Sequence, residues 1–184
     1  IVEGAGTFLV AAPESCKSWV MVLMAQSLHH GVDKIWPIRH PRRCLIVDLK
    51  RPKATNALRV GGVNDALGLD RETPSLIYNA RGSTLQAEAD RIRRLVDRHC
   101  IDVLFIDSIS RLGSGGSLND DLTANSGIDL LNDLAPTWVA AAHTPKENPR
   151  TMFGSQHWLA GCDVMGFVHR VFRDEGITSI VGIE

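Results

Sequence analysis

The sequence is short of cysteine, of excess charge and of long apolar segments, and each shortage excludes a class of protein. Its four cysteines stand 28 to 62 residues apart, which fits neither the close pairs of a zinc site nor a disulfide scaffold. Lysine and arginine (20) nearly balance aspartate and glutamate (21), so no overall positive field would draw the chain onto nucleic acid. No apolar run approaches the roughly 20 residues of a membrane-spanning helix. A reducing, cytoplasmic location without membrane contact is therefore expected.

The composition is that of an ordinary globular protein. With 184 residues, 44% of them hydrophobic, the chain is long enough for one well-cored domain and too short for two. We therefore expect residues 1–184 to form a single domain. Because the sequence opens on Ile1 rather than methionine and stops at Glu184 within an apolar alternation, we also expect it to be a piece of a longer chain.

Short apolar runs alternate with longer amphipathic segments, a pattern that indicates an α/β fold. The runs are continuous, as in parallel strands that are buried on both faces, and they cover residues 7–11, 44–49, 75–78, 103–107 and 137–142. Residues 84–99 have one apolar side, which predicts a helix covering the sheet. Residues 164–170 and 177–183 predict a C-terminal antiparallel hairpin. The expected fold is a mainly parallel, twisted sheet flanked by helices.

The first strand leads into a segment laid out like a phosphate-binding loop. Residues 11–18 read A-x-x-x-x-C-K-S, against the standard G-x-x-x-x-G-K-[ST]. In such a loop, backbone N–H groups hold the phosphates, while Lys17 would reach their oxygens and Ser18 would ligate Mg²⁺. The alternative is that Lys17 and Ser18 form an ordinary first helical turn. The predicted binding segment comprises Ala12, Pro13, Glu14, Ser15, Cys16, Lys17, Ser18 and Trp19.

Two further strands end in polar residues that suit phosphate chemistry. Asp107 ends the fourth apolar run, where a carboxylate could hold Mg²⁺ through water, although many such aspartates only cap a following helix. His143 follows the fifth run, where it could contact the γ-phosphate and move the next loop when that phosphate leaves. A local hydrogen bond is the simpler explanation for His143.

These motifs, in this order and spacing, resemble the RecA-like P-loop ATPases, and most closely the branch of RepA-type hexameric helicases and AAA-family ATPases. The resemblance rests on the loop at 11–18, the strand at 103–108 and the His-Thr-Pro-Lys at 143–146. It implies that ATP and Mg²⁺ bind between neighbouring subunits of a homo-oligomeric ring, possibly a hexamer. It also implies that loops 113–125 and 144–157 contact single-stranded DNA, in DNA replication or mobile-element maintenance.

The departures from the family pattern point to slow hydrolysis, with a degenerate Walker A motif. Cys16 stands where the family has glycine, and Lys50 stands where it has the glutamate that orients the attacking water. Asp48, two residues earlier, could replace that glutamate only through a water. Because Glu184 stands about where the family has a basic residue acting across the subunit boundary, Arg170 and Arg173 are the candidates for that role.

Three functions remain open from the sequence. The first is an active helicase or translocase ATPase, and the second is a catalytically degraded RecA-fold module that serves assembly or regulation. The third, a kinase-like phosphotransferase, has the least support, because 184 residues show no dedicated lid for an acceptor.

Overall fold

A computed structural model describes residues 1–113, 115–145, 151–173 and 176–183, with side chains through His169. Its centre is one seven-stranded sheet in the order β3-β2-β4-β5-β1-β6-β7. Strands β1 to β6 are parallel, and β7 pairs antiparallel with β6. The predicted α/β class and the C-terminal hairpin are therefore confirmed. The strands are β1 Gly6–Ala11, β2 Cys44–Asp48, β3 Ile77–Asn79, β4 Val103–Asp107, β5 Trp138–His143, β6 Val164–Arg173 and β7 Gly176–Ile183.

Helices connect the parallel strands and cover both faces of the sheet. They are α1 Lys17–His30, α2 Lys53–Leu67, α3 Leu85–His99, α4 Asp121–Leu134 and α5 His157–Ala160, with a single 3₁₀ turn at Ile109–Arg111. The predicted helix at 84–99 is α3, and the Thr84 side chain caps it by accepting from the Ala87 N–H at 3.2 Å. No helix in the described part of the chain is long and apolar enough to span a membrane.

Two apolar layers, one on each face of the sheet, explain the continuous apolar runs. Phe8 and Leu104 point to the layer beneath α3 and α4, where Trp138 and Trp158 are fully buried. The neighbouring residues of the same strands, such as Leu9, point to the layer beneath α1 and α2. Successive strand residues face opposite sides. Residues at both odd and even positions of a strand must therefore be apolar when both faces of the sheet are covered. This construction leaves the carboxyl ends of the strands as the place for polar side chains.

The first of the two predicted nucleic-acid loops is shorter than expected. Residues 121–125 belong to the first turns of α4, so the loop ends at Asp120. The Asp120 carboxylate accepts from the Thr123 N–H at 2.9 Å, which satisfies one of the unpaired donors at the helix start. The helix begins there because Asp120 is a strong N-cap, a signal that lay inside the segment interpreted as a loop.

Candidate functional site

The loop between β1 and α1 keeps a glycine-like backbone although cysteine replaces the glycine before Lys17. Glu14 and Cys16 both have φ of 62°, in the left-handed region that residues with side chains seldom adopt. The Cys16 carbonyl accepts from the Trp19 N–H at 2.9 Å and so starts α1. The loop therefore has a compact shape at a strain cost of about 1–3 kcal/mol for each left-handed residue.

Lys17 opens α1, and its side chain is buried at the ends of β1 and β5. Its ammonium group donates to the Ala142 and Ala11 carbonyls at 2.5 and 3.2 Å, and it lies 3.2 Å from His143 Nδ1. Burial lowers the pKa of Lys17 from 10.5 to about 8, although the charge of Asp107 acts in the opposite direction. The group is still mostly protonated at pH 7 and remains a cation for a phosphate.

The turn after β2 presents two more cations. Asp48 is buried, and its Oδ1 accepts from the backbone N–H groups of Lys50 and Arg51 at 2.8 and 2.9 Å. Burial lowers the pKa of Lys50, and the charge of Asp107 opposes that shift. The observed contacts of Asp48 thus hold the turn that carries Lys50. The catalytic role of Asp48 through a water stays a prediction.

Ser18 and Asp107 provide a donor set that suits Mg²⁺. Both residues line one cavity at the carboxyl edge of the sheet. Mg²⁺ in nucleotide sites is held by one or two protein oxygens together with phosphate oxygens and water, and a hydroxyl with a carboxylate meets that need. Within the described ranges, at this edge of the sheet or elsewhere, no group of three or more His, Cys, Asp or Glu could hold a metal. A magnesium ion would therefore need phosphate to complete its coordination here.

His143 connects the cavity to the segment that follows β5. Burial, followed by the charges of Lys17 and Lys50, lowers the pKa of His143 to about 4. The ring is therefore neutral near pH 7, and its Nδ1 can accept from the Lys17 ammonium. The His143 carbonyl accepts from the Phe153 N–H at 2.7 Å. The same residue thus touches both the cavity lysine and the second predicted loop.

These groups surround a cavity of about 260 Å³. Among the residues predicted from the sequence, Pro13 and Asp48 lie outside its lining, and the others take part in it. Four cationic side chains and two carboxylates face the space, an excess of positive charge that suits a polyphosphate. The lining residues are Ala12, Glu14, Ser15, Cys16, Lys17, Ser18, Trp19, Lys50, Arg51, Arg59, Asp107 and His143.

The sequence reasoning gave no role to two of the lining residues, Arg51 and Arg59. Arg59 comes from a helix rather than from a strand end. It lies in α2, whose start is capped by Pro52 without a side-chain hydrogen bond and whose sequence contains two adjacent glycines, Gly61 and Gly62. Neither its periodicity nor its cap marks this helix strongly. The signal that could have found Arg59 is its place about two turns into a helix that must start at the end of β2, beside the phosphate loop.

The two predicted nucleic-acid loops are joined in the described part of the structure. The Leu118 carbonyl accepts from the Ser155 N–H at 2.9 Å and from the Trp158 indole Nε1 at 3.0 Å. Gly154 packs so closely that a Cβ there would lie 2.7 Å from the same carbonyl oxygen. Lys146 and Arg150, two basic residues of the second loop, lie outside the described residues.

Two larger grooves lie away from this chemistry. One, of about 800 Å³, runs between α2 and the segment leading into β3. The other, of about 830 Å³, lies at the opposite edge of the sheet, where β4 and β5 begin, and Trp36 is part of its wall. Size does not identify the functional site here, because the smallest of the three holds the converging titratable groups.

Comparison with known families agrees with this placement. A family model described as an AAA domain matches residues 1–149, a range that contains β1 to β5 and every residue lining the 260 Å³ cavity. A search of curated proteins finds no match.

Proposed function

The chain belongs to the AAA domain family of P-loop ATPases, and on that basis we propose that it is the nucleotide-binding core of a DNA helicase or translocase with slow hydrolysis. The protein would bind ATP with Mg²⁺, assemble into a homo-oligomeric ring, possibly a hexamer, and act on single-stranded DNA in replication or in the maintenance of a mobile element. The observation that carries the proposal is the cationic cavity in which Lys17, Ser18 and Asp107 meet.

The charge and size of that cavity support binding of a triphosphate. Lys17 and Lys50 enter it from two neighbouring connections, while the N-terminus of α1 supplies backbone N–H groups. Phosphate oxygens would replace the Ala142 carbonyl as the partner of the Lys17 ammonium. Ser18 and Asp107 would share the magnesium ion with those oxygens.

Slow hydrolysis follows from the groups around the expected position of the attacking water. Catalysis of this step needs a carboxylate or glutamine that positions the nucleophile. The connection after β2 instead presents the cation Lys50, and both Asp48 contacts given above go to the backbone. A lysine there can pair with phosphate oxygens, which favours holding nucleotide over converting it.

A physical route leads from the cavity to the proposed DNA-contacting loops. His143 accepts from Lys17 through its ring and from the Phe153 N–H through its carbonyl. The segment beginning at Phe153 is in turn joined to Leu118 of the first loop. A change in Lys17 when phosphate binds would therefore reach both loops through hydrogen-bonded contacts.

One observation favours the alternative of a catalytically degraded module that serves assembly or regulation. The Lys17 ammonium already has two carbonyl partners and a histidine nitrogen. Nucleotide must compete with these contacts, so binding would be weak if they persist. In that case the fold would remain while turnover disappears.

The test measures ATP turnover, with and without single-stranded DNA, for the natural chain, Lys17→Ala and Lys50→Glu. We expect slow turnover by the natural chain, an increase in Lys50→Glu towards the 10²- to 10⁴-fold that a general base typically contributes, and loss of nucleotide binding in Lys17→Ala. Lys34→Glu, on the exposed turn after α1, is the control for charge reversal. Brisk turnover that Lys17→Ala abolishes and Lys50→Glu does not raise would contradict slow hydrolysis.

Sedimentation showing only monomer at high concentration with nucleotide would contradict the ring.

A further inference from the structure

Trp19 is an exposed aromatic residue at the edge of the 260 Å³ cavity that contains Lys17. It follows Ser18 in α1, lines the cavity and keeps 43% of its surface exposed. Trp138 and Trp158, by contrast, are fully buried in the core. Leaving a large indole in water forgoes the favourable burial that aromatic side chains usually obtain. Its position in the lining of the cavity makes the indole available to a ligand.

The indole is held in place by the neighbouring helix α2. A Cβ at Gly62 would lie 3.2 and 3.3 Å from Cζ3 and Cη2 of the Trp19 ring, so the ring edge lies against the backbone of α2. The missing side chain at this position makes room for that contact. A ring that is already positioned loses little freedom when a flat group stacks on it.

The cavity is too small for a whole nucleotide. Its volume of about 260 Å³ is below the roughly 300–1,000 Å³ of sites that enclose an organic ligand of drug size. A triphosphate bound at Lys17 would fill it, so the ribose and base must lie outside, across the edge. The aromatic surface available there is Trp19.

We infer that Trp19 stacks on the base of the bound nucleotide, so that the site accepts nucleoside triphosphates with little choice between bases. The inference rests on the proposed function, because it needs the phosphates to occupy the cavity. Stacking tolerates every base, since each has a π face. A base held by stacking alone is not read at its hydrogen-bonding edge, so the contact with Trp19 does not select one base over another.

The experiment compares calorimetric affinities for ATP, GTP and inorganic tripolyphosphate, each with Mg²⁺. In the natural chain ATP and GTP should bind within about tenfold of each other, and both more tightly than tripolyphosphate. Trp19→Leu should reduce the preference for ATP over tripolyphosphate by about tenfold, while Trp19→Phe keeps most of it. Trp36→Leu, the same change at the opposite edge of the sheet, is the matched control and should leave the preference unchanged.

Fluorescence gives an independent readout that does not depend on a variant's affinity. ATP should quench part of the tryptophan emission of the natural chain, tripolyphosphate should not, and the quenching should be absent from Trp19→Phe at saturating ATP. An unchanged ATP-to-tripolyphosphate ratio in Trp19→Leu, or ATP quenching that persists in Trp19→Phe, overturns the inference and leaves the proposed function standing. Failure of the natural chain to bind either tripolyphosphate or ATP overturns the proposed function, and the inference with it.

Discussion

Replacing Lys17 with methionine should stabilise the folded protein while abolishing nucleotide binding. Only 7% of the surface of Lys17 is exposed, and burial lowers the pKa of Lys17 from 10.5 to about 8. Methionine keeps the unbranched shape of the lysine stem and needs no hydration. The substitution therefore removes a buried charge without opening a large cavity.

The size and sign of the effect follow from the two pKa values. Below pH 8 Lys17 is charged in both states, and folding bears the full cost of burying the charge, about 3 kcal/mol at about 1.4 kcal/mol per pH unit. Above pH 10.5 it is neutral in both states, and the cost is gone. Methionine forfeits the hydrogen bond to the Ala142 carbonyl, worth about 1 kcal/mol, whereas the Ala11 carbonyl keeps the Thr144 N–H. The net gain at pH 7 is about 2 kcal/mol.

Urea unfolding of Lys17→Met and the natural chain, at pH 7 and near pH 10.5, measures this difference. The advantage of the variant should be present at pH 7 and vanish or reverse as pH rises through 8 to 10.5. Lys34→Met, which removes an exposed lysine, is the control and should show no comparable pH dependence. If Lys17→Met is no more stable than the natural chain at pH 7, or if its advantage is equal at both pH values, the argument from buried charge is wrong.

Two further predictions concern His143 and the core. Because burial and the nearby lysines lower the pKa of His143 to about 4, its ring resonances in an NMR titration should stay constant from pH 8 down to about pH 5, and a midpoint near 6.5 would contradict the described site. Gly127→Ala should destabilise the fold by about 1–3 kcal/mol in urea unfolding, because the new Cβ would lie 2.3 Å from Cη2 of Trp158 and 2.9 Å from Cδ2 of Leu112. Alanine normally stabilises a helix relative to glycine, so a gain in stability would show that the packing can relax.

The parts of the fold that the sequence predicted share one physical property. Strands buried on both faces must be apolar at every position, which makes runs such as 103–106 visible without any partner. Helix α3 is visible because one side of it faces solvent and the other the sheet. Helices α2 and α4 lack a comparably clear pattern: α2 carries two glycines, and α4 begins inside a segment rich in small polar residues.

In the candidate site, too, some residues could be predicted from the sequence and others could not. The residues contributed by the phosphate loop, Lys17 and Ser18 among them, are consecutive in sequence and recognisable from their spacing. Arg59 could not be predicted, because its place in the cavity depends on how α2 packs beside α1, a contact between segments about 40 residues apart. The backbone contacts of Asp48 were hidden for a similar reason, since a strand-end aspartate can point to a ligand or hold its own turn.

The two hydrogen bonds that the Leu118 carbonyl accepts link segments that are far apart in the sequence. This carbonyl is a single acceptor on the first loop that receives two donors, the Ser155 N–H of the second loop and the Trp158 indole Nε1 of α5. These hydrogen bonds couple Leu118 to residues 155–158, so a displacement of one is expected to carry the other with it. Neither Leu118 nor residues 155–158 can be displaced alone without breaking both hydrogen bonds, and the buried Trp158 ring anchors these residues to the core.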